Sequence, residues 1–234
     1  MSLFGPSSVR YVQAVPWWGL VPSAAAPVLL VGGSMVAAQL QPRSYDPMGE
    51  TVSGLAALGA ADRWVMTLAF AVAAACELAT GLVLRPARLP GRLILIAAAV
   101  AGILVAASPE HLGGSLRHGV FAAVSLGALT LWPAAAWRVG PMVPWALRPG
   151  VTAWTVVVLL VLLAWFGLEL ITGAGHAGLA ERLLGLAQSS WPFVVIMSCR
   201  RTGTRPALAA EPASKVIAHG GCRSCARQGV RGQA

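Results

Sequence analysis

The sequence predicts an all-α protein, a polytopic transmembrane bundle of six helices with both termini in the cytoplasm. Three observations predict it. Only 11% of the 234 residues are charged, and the mean hydropathy is +0.72. Soluble domains carry about 25% charged residues, so this chain has too little polar side chain to cover a water-facing surface. The apolar residues also gather into runs close to the roughly 20 residues that carry a helix across about 30 Å of hydrocarbon. Lipid leaves only helices and closed barrels able to satisfy every backbone group, and these runs are too long and too little alternating for barrel strands. Finally, the basic residues alternate from loop to loop.

Residues 1–20 form an N-terminal segment with one Arg and no apolar stretch of its own. "SAAAP" at 23–27 resembles a cleavage site, but it precedes the apolar stretch instead of following it. The first span is therefore expected to be retained. It runs about Val21 to Leu40. The second runs Trp64 to Leu84, and the third Pro90 to Ala107, with Pro90 suited to a first helical turn. The fourth runs His118 to Trp137, the fifth Thr152 to Thr172 and the sixth Arg182 to Cys199. Together they make a transmembrane domain over 21–199. Pro27, Pro133 and Pro192 fall inside spans and predict kinks, which membrane helices tolerate. They do not correspond under a three-plus-three division, so no inverted repeat of the transporter type is legible.

Thirteen of the 17 basic residues lie at the N-terminus, in the second and fourth loops and in the tail: Arg10, Arg85, Arg88, Arg92, Arg138, Arg148 and seven from Arg200 onward. The other loops hold only Arg43, Arg63, Arg117 and Arg182. Short basic loops stay in the cytoplasm, which places both termini inside. Trp17, Trp18 and Trp64 suit the interfaces. The net charge of +9 belongs to the cytoplasmic face, where it meets anionic lipid headgroups, and gives no reason to expect nucleic acid. The tail, 200–234, is basic, lacks helical periodicity and is expected to be disordered. It carries Cys222 and Cys225 near His219. A lone C-x-x-C lacks the second pair that a closed zinc site needs, and the expectation is no metal and no cofactor. Cys76 and Cys199 read as small apolar residues inside spans.

The acidic residues lie on the other side. Asp46, Glu50, Asp62, Glu110 and Glu181 fall in the outer loops, with His111, His118 and His176. The first outer loop, "QPRSYDPMGETVSGLAALGAADRW" (41–64), is the only one of them long enough to fold over the bundle. Tyr45, Asp46, Glu50, Ser53, Glu110, His111 and His118 are the ligand-binding candidates. A carboxylate, a Ser and a His can make a hydrolase site, which nominates Glu50, Ser53 and His118; two His with carboxylates can hold a metal. Structural readings stand beside these. Asp46-Pro47 is a turn signal, Glu50 and Asp62 can pair with Arg63, and a His at a helix start can be a cap.

Inside the second span, Glu77 stands out. A carboxylate at mid-membrane costs about 2.5–3.5 kcal/mol on insertion scales, so it suggests a proton or cation site; the structural reading is a neutral carboxyl bonded to a neighbouring helix. Its helical neighbours Ala73, Ala74, Thr80 and Gly81 form a small face that another helix can approach. Glu169 reads as interfacial. Gln188, Ser189 and Ser190 are expected to satisfy backbone groups released by Pro192.

Two stretches carry a family resemblance. The first outer loop, followed by a Gly/Ala-rich span and then by "LVAASPEHLGGSLRHGVFAAVSLGALTLWP", resembles the bacterial six-span membrane proteins of the domain-of-unknown-function 998 family. The matching positions are Ser53, Leu55 and Gly59, then Pro109, Glu110 and His118, and the likeness covers about Val28 to Cys199. The chain departs from that pattern at Ser108, where a bulky residue is expected, and in its Ser-to-Gly spacing. The resemblance implies six spans and no particular activity. The ceramidase-like membrane hydrolases are similar in using Ser, acid and His, but they add paired His in a late span, and spans five and six have none. The leading expectation is a bacterial inner-membrane protein, more a binder than an enzyme, that binds or organises a lipid or small ligand at its outer face. The alternatives are a hydrolase of lipid headgroups and a proton-coupled transporter using Glu77.

Overall fold

The structure, a computed structural model, describes residues 15–111 and 115–209. Among them are six α-helices, three short 3-10 turns and no strand. The helices are α1 (Leu20–Gln39), α2 (Trp64–Val83), α3 (Leu89–Ala107), α4 (Leu116–Ala136), α5 (Pro149–Thr172) and α6 (Ala177–Ala209). Their starts follow local chemistry. Pro90 and Pro149 occupy the first turns of α3 and α5, where a missing N–H costs nothing. Ser115 caps α4, accepting from the His118 N–H at 3.4 Å, so this helix begins at Leu116 and not at His118. The α1 and α4 helices continue through Pro27 and Pro133.

Five helices, α1 to α5, are long and apolar enough to cross a membrane. The expected sixth differs: α6 is long, but Arg182, Gln188, Ser189, Ser190 and Pro192 dilute it. It also runs on to Ala209, past the boundary expected at Cys199. The rest of the tail, including His219, Cys222 and Cys225, lies outside the described residues. The architecture is that of a multi-pass membrane protein.

Short connections make chain neighbours antiparallel. Each helix packs on the next, and α6 returns against α1 to close a ring. The α5 helix packs chiefly on α4 and α6 and leaves Trp154, Val161 and Ile171 exposed. Such an apolar outer surface suits hydrocarbon better than water.

The two ends of the bundle differ. At the end holding the α2–α3 and α4–α5 connections, Leu84, Leu95, Trp132, Leu147, Val195 and Ile196 form a dense core. Arginines close that end: Arg92 donates to the carbonyls of Gly81 (3.2 Å) and Leu82 (2.9 Å), and Arg138 to Ala87 (3.3 Å). These carbonyls close α2 and its turn, where cations are favoured. At the other end a smaller cluster of Ala37, Leu55, Met66 and Ala69 lies under the 41–63 loop. We call this the cap end.

Candidate functional site

The cap is built from the 41–63 loop settled on the first turns of α6. Glu181 is the anchor. Its carboxylate accepts from the Val52 N–H at 2.6 Å, the Ser53 N–H at 3.2 Å and the Ser53 hydroxyl at 2.6 Å. Its neighbour Arg182 donates through Nη1 to the carbonyls of Pro47 (2.7 Å), Glu50 (3.1 Å) and Gly178 (2.8 Å), and through Nη2 to the Tyr45 hydroxyl at 2.6 Å. The guanidinium also lies over the Tyr45 ring, 5.4 Å from its centroid. The Leu179 N–H donates to Met48 O at 3.0 Å. Gly178 makes this approach possible, because a Cβ there would collide with Glu50 O and meet Pro47 O at 2.7 Å. Burial pushes the Tyr45 hydroxyl up from its ordinary value. The hydroxyl thus stays a donor, bonding Glu50 O at 2.8 Å and Thr51 O at 3.0 Å.

The candidates read from sequence fall into separate places. Asp46 closes its own turn, accepting from Met48 N (3.0 Å) and Gly49 N (3.2 Å). Glu50 pairs with Arg43 through both oxygens, at 2.8 and 2.6 Å, and the Arg43 hydrogen bond holds its carboxyl below the ordinary range. Asp62 adopts φ 46° and accepts from Trp64 Nε1 at 3.2 Å, not from Arg63. His118 is buried, its Nδ1 2.9 Å from Ser108 O. His111 is exposed. Among the described residues no hydrogen bond joins Ser53, Glu50 and His118 to one another, and no three His, Cys, Asp or Glu side chains gather as a metal site. The two loops do touch: Leu58 N donates to Glu110 O at 2.8 Å. Glu169 joins α5 to α6, accepting from Trp165 Nε1 (3.1 Å) and His176 N (2.9 Å).

The sequence sets Glu181 and Arg182 at the end of an outer loop without marking them as anchors. The available signal was two adjacent opposite charges opening a helix, with no obvious partner nearby in sequence. Gln188 also differs from its expected role. It does not serve the Pro192 break; its Nε2 crosses to α4, donating to Leu126 O at 2.8 Å and Thr130 Oγ1 at 2.9 Å.

Beneath the cap lies a cavity of about 330 Å³ between α1, α2, α4 and α6, with a contribution from α3. The small face of α2, Ala73 and Ala74, forms one wall, and Leu30, Phe70, Leu126 and Leu129 are among the apolar residues facing it. Ser53, Glu181 and Arg182 line its cap end, while Glu77, Ser125 and Gln188 line it deeper. Glu77 lies 13 residues along α2 from Trp64, roughly 20 Å from that end at about 1.5 Å per residue. Met35 of α1 and Leu183 and Leu186 of α6 line the cavity and are also exposed, so it opens sideways in the seam between those helices. A mostly apolar space with a few converging polar groups, near the lower bound of about 300 Å³ for ligand sites, is the usual form of a small-molecule pocket.

An apolar ring of helices with a polar cap and an internal cavity defines a multi-pass membrane protein with a chamber reached between two helices. The chain belongs to the DUF998 family of proteins of unknown function, whose model matches residues 23–198. No curated protein and no solved structure matches it.

Proposed function

We propose that this protein is a six-span bacterial inner-membrane protein, N-in and C-in, that binds a lipid or small amphiphilic ligand in the cavity beneath its outer cap. The observation that carries the reading is the apolar cavity closed over by the 41–63 loop and open between α1 and α6. A ligand dissolved in hydrocarbon can enter there without crossing the cap. Although α6 is the least apolar helix, it packs in the ring between α1 and α5, and Gln188 and Ser189 make internal hydrogen bonds, as polar groups inside a membrane must. The Arg-rich end faces the cytoplasm and its anionic headgroups. To test the reading, the protein is purified in nanodiscs and retained ligand is read by native mass spectrometry. Ala122 lines the cavity on α4, and Ala122→Phe should expel the ligand while leaving the fold intact. Equal retention in both proteins would refute it.

Proton-coupled transport is the second reading. Glu77 is 6% exposed, faces this cavity and makes no hydrogen bond among the described residues. The hydrolase alternative has less support, since Glu50, Ser53 and His118 each bond to other groups.

A further inference from the structure

The cavity lining is unbalanced in its hydrogen-bonding chemistry. Its donors are already engaged. Ser34 gives its hydroxyl hydrogen to Val31 O at 2.9 Å, Ser53 to Glu181 at 2.6 Å and Ser125 to Ala98 O at 3.0 Å. Both bonds from the Gln188 amide nitrogen go to α4. Arg182 turns its terminal nitrogens to the cap and to Gly178.

The acceptors are different. Gln188 is fully buried, and its Oε1 has no partner. Glu77, on the facing helix α2, has no partner for either carboxyl oxygen among the described residues. No bond links Glu77 to Gln188 or to any basic side chain there. A buried acceptor left unmade costs about 1–3 kcal/mol, more when charged, and buried polar atoms are satisfied in the great majority of native structures. One buried orphan acceptor, Gln188 Oε1, and one carboxyl group without a hydrogen-bond partner among the described residues, Glu77, thus line one cavity on two helices. What would complete them is a group bearing several N–H donors and a positive charge. The rest of the lining is mostly apolar and suits a hydrocarbon body.

Resting on the binding reading above, we infer that the cavity takes an amphiphile with a protonated amine head, which donates to Glu77 and to Gln188 Oε1 while its hydrocarbon body lies against Leu30, Phe70, Leu126 and Leu129. The amine can belong to a free long-chain amine or to the headgroup of an aminolipid. Pairing a cation with the single intramembrane carboxylate of α2 is the arrangement in which such a charge is tolerated.

The test uses full-length protein in phosphatidylcholine nanodiscs, a lipid whose head carries no N–H. Radiolabelled dodecylamine and dodecanol are compared as probes by equilibrium binding. The amine should bind more tightly than the alcohol by about tenfold or more, as a charge-assisted contact requires. Glu77→Gln, a near-isosteric change, should bring the two affinities together. Gln188→Leu should weaken the amine severalfold and leave the alcohol unchanged. If the wild type binds both probes equally and Glu77→Gln alters neither, the amine assignment is wrong while the cavity remains a binding site. Should neither probe bind, the binding reading fails with it. Doping the nanodiscs with phosphatidylethanolamine separates the sources: displacement of dodecylamine assigns the amine to a lipid headgroup, and no displacement to a free amphiphile. Both results keep the amine chemistry.

Discussion

The Arg43 guanidinium meets both oxygens of Glu50, and its hydrogen bond is the main reason the Glu50 carboxyl sits below the ordinary 4.5. An acid whose folded value is lowered contributes stability that is complete above its unfolded value and fades as the pH falls through the folded one. The pair is exposed, so its effect on global stability is small, and the carboxyl itself is the better reporter. In Arg43→Ala, the Glu50 midpoint followed by side-chain ¹³C NMR should move up toward 4.5. An unmoved midpoint would show that the Asp46 N–H, 3.2 Å from Glu50 Oε1, controls it instead. Glu181 contrasts with Glu50. It holds two backbone N–H groups and a hydroxyl from one stretch of loop, and so acts as a capping group supplied by a different helix.

Among the elements, close packing depends on small residues. The α1–α2 contact is close where Gly33 faces Ala69, because a Cβ on Gly33 would overlap the Ala69 methyl. Helices in lipid gain most of their association from such contacts, since apolar side chains meet hydrocarbon whether packed or not. Gly32, one position away, has open space within 4 Å of where a Cβ would stand. Gly33→Leu should therefore lower the thermal midpoint in detergent, by an overpacking cost of about 1–3 kcal/mol, whereas Gly32→Leu should leave it near wild type. Equal effects would mean that α1 packs through another face. The same logic explains the cavity. Ala73 and Ala74 give α2 a small face, but Glu77 follows on that face, and α4 and α6 approach it without filling the space above.

On the scale of the whole molecule, the chain separates a dense end from a hollow one. The dense end carries the arginines and the Trp132 core; the hollow end carries the acids, the cap and the cavity. If arginines hold the dense end in the cytoplasm, an alkaline phosphatase fusion after Gly59 should be active and one after Arg148 inactive. The reverse pair would invert the protein. A third fusion after Arg205 examines α6: inactivity there supports a sixth crossing, and export of the reporter while the Arg148 fusion stays inside would leave five.

The number and place of the helices were legible because apolar runs separated by charged loops leave the backbone few alternatives in lipid. Pro90 marks the start of α3 in the same way, whereas Ser115 and Pro149 set the starts of α4 and α5 a few residues before the expected His118 and Thr152. The weak apolar character of α6 is written in its composition, but Gln188 finds its partners on α4 through contacts that no local pattern encodes. The candidate site divides along the same line. Glu77 stands out in the sequence, because a lone acid in a greasy run is costly wherever it points. That it faces a cavity, and that Gln188 supplies a second idle acceptor there, depends on how four helices pack. The cap followed a similar course: a long polar loop announced itself by composition, but its anchor on Glu181 and Arg182 joins residues well over a hundred positions apart. Sequence by itself determined the solvent, the helices and the sidedness of charge, which are sums over many residues. Tertiary structure alone decided which polar groups are satisfied and which stay open, because hydrogen bonding is settled pair by pair in three dimensions.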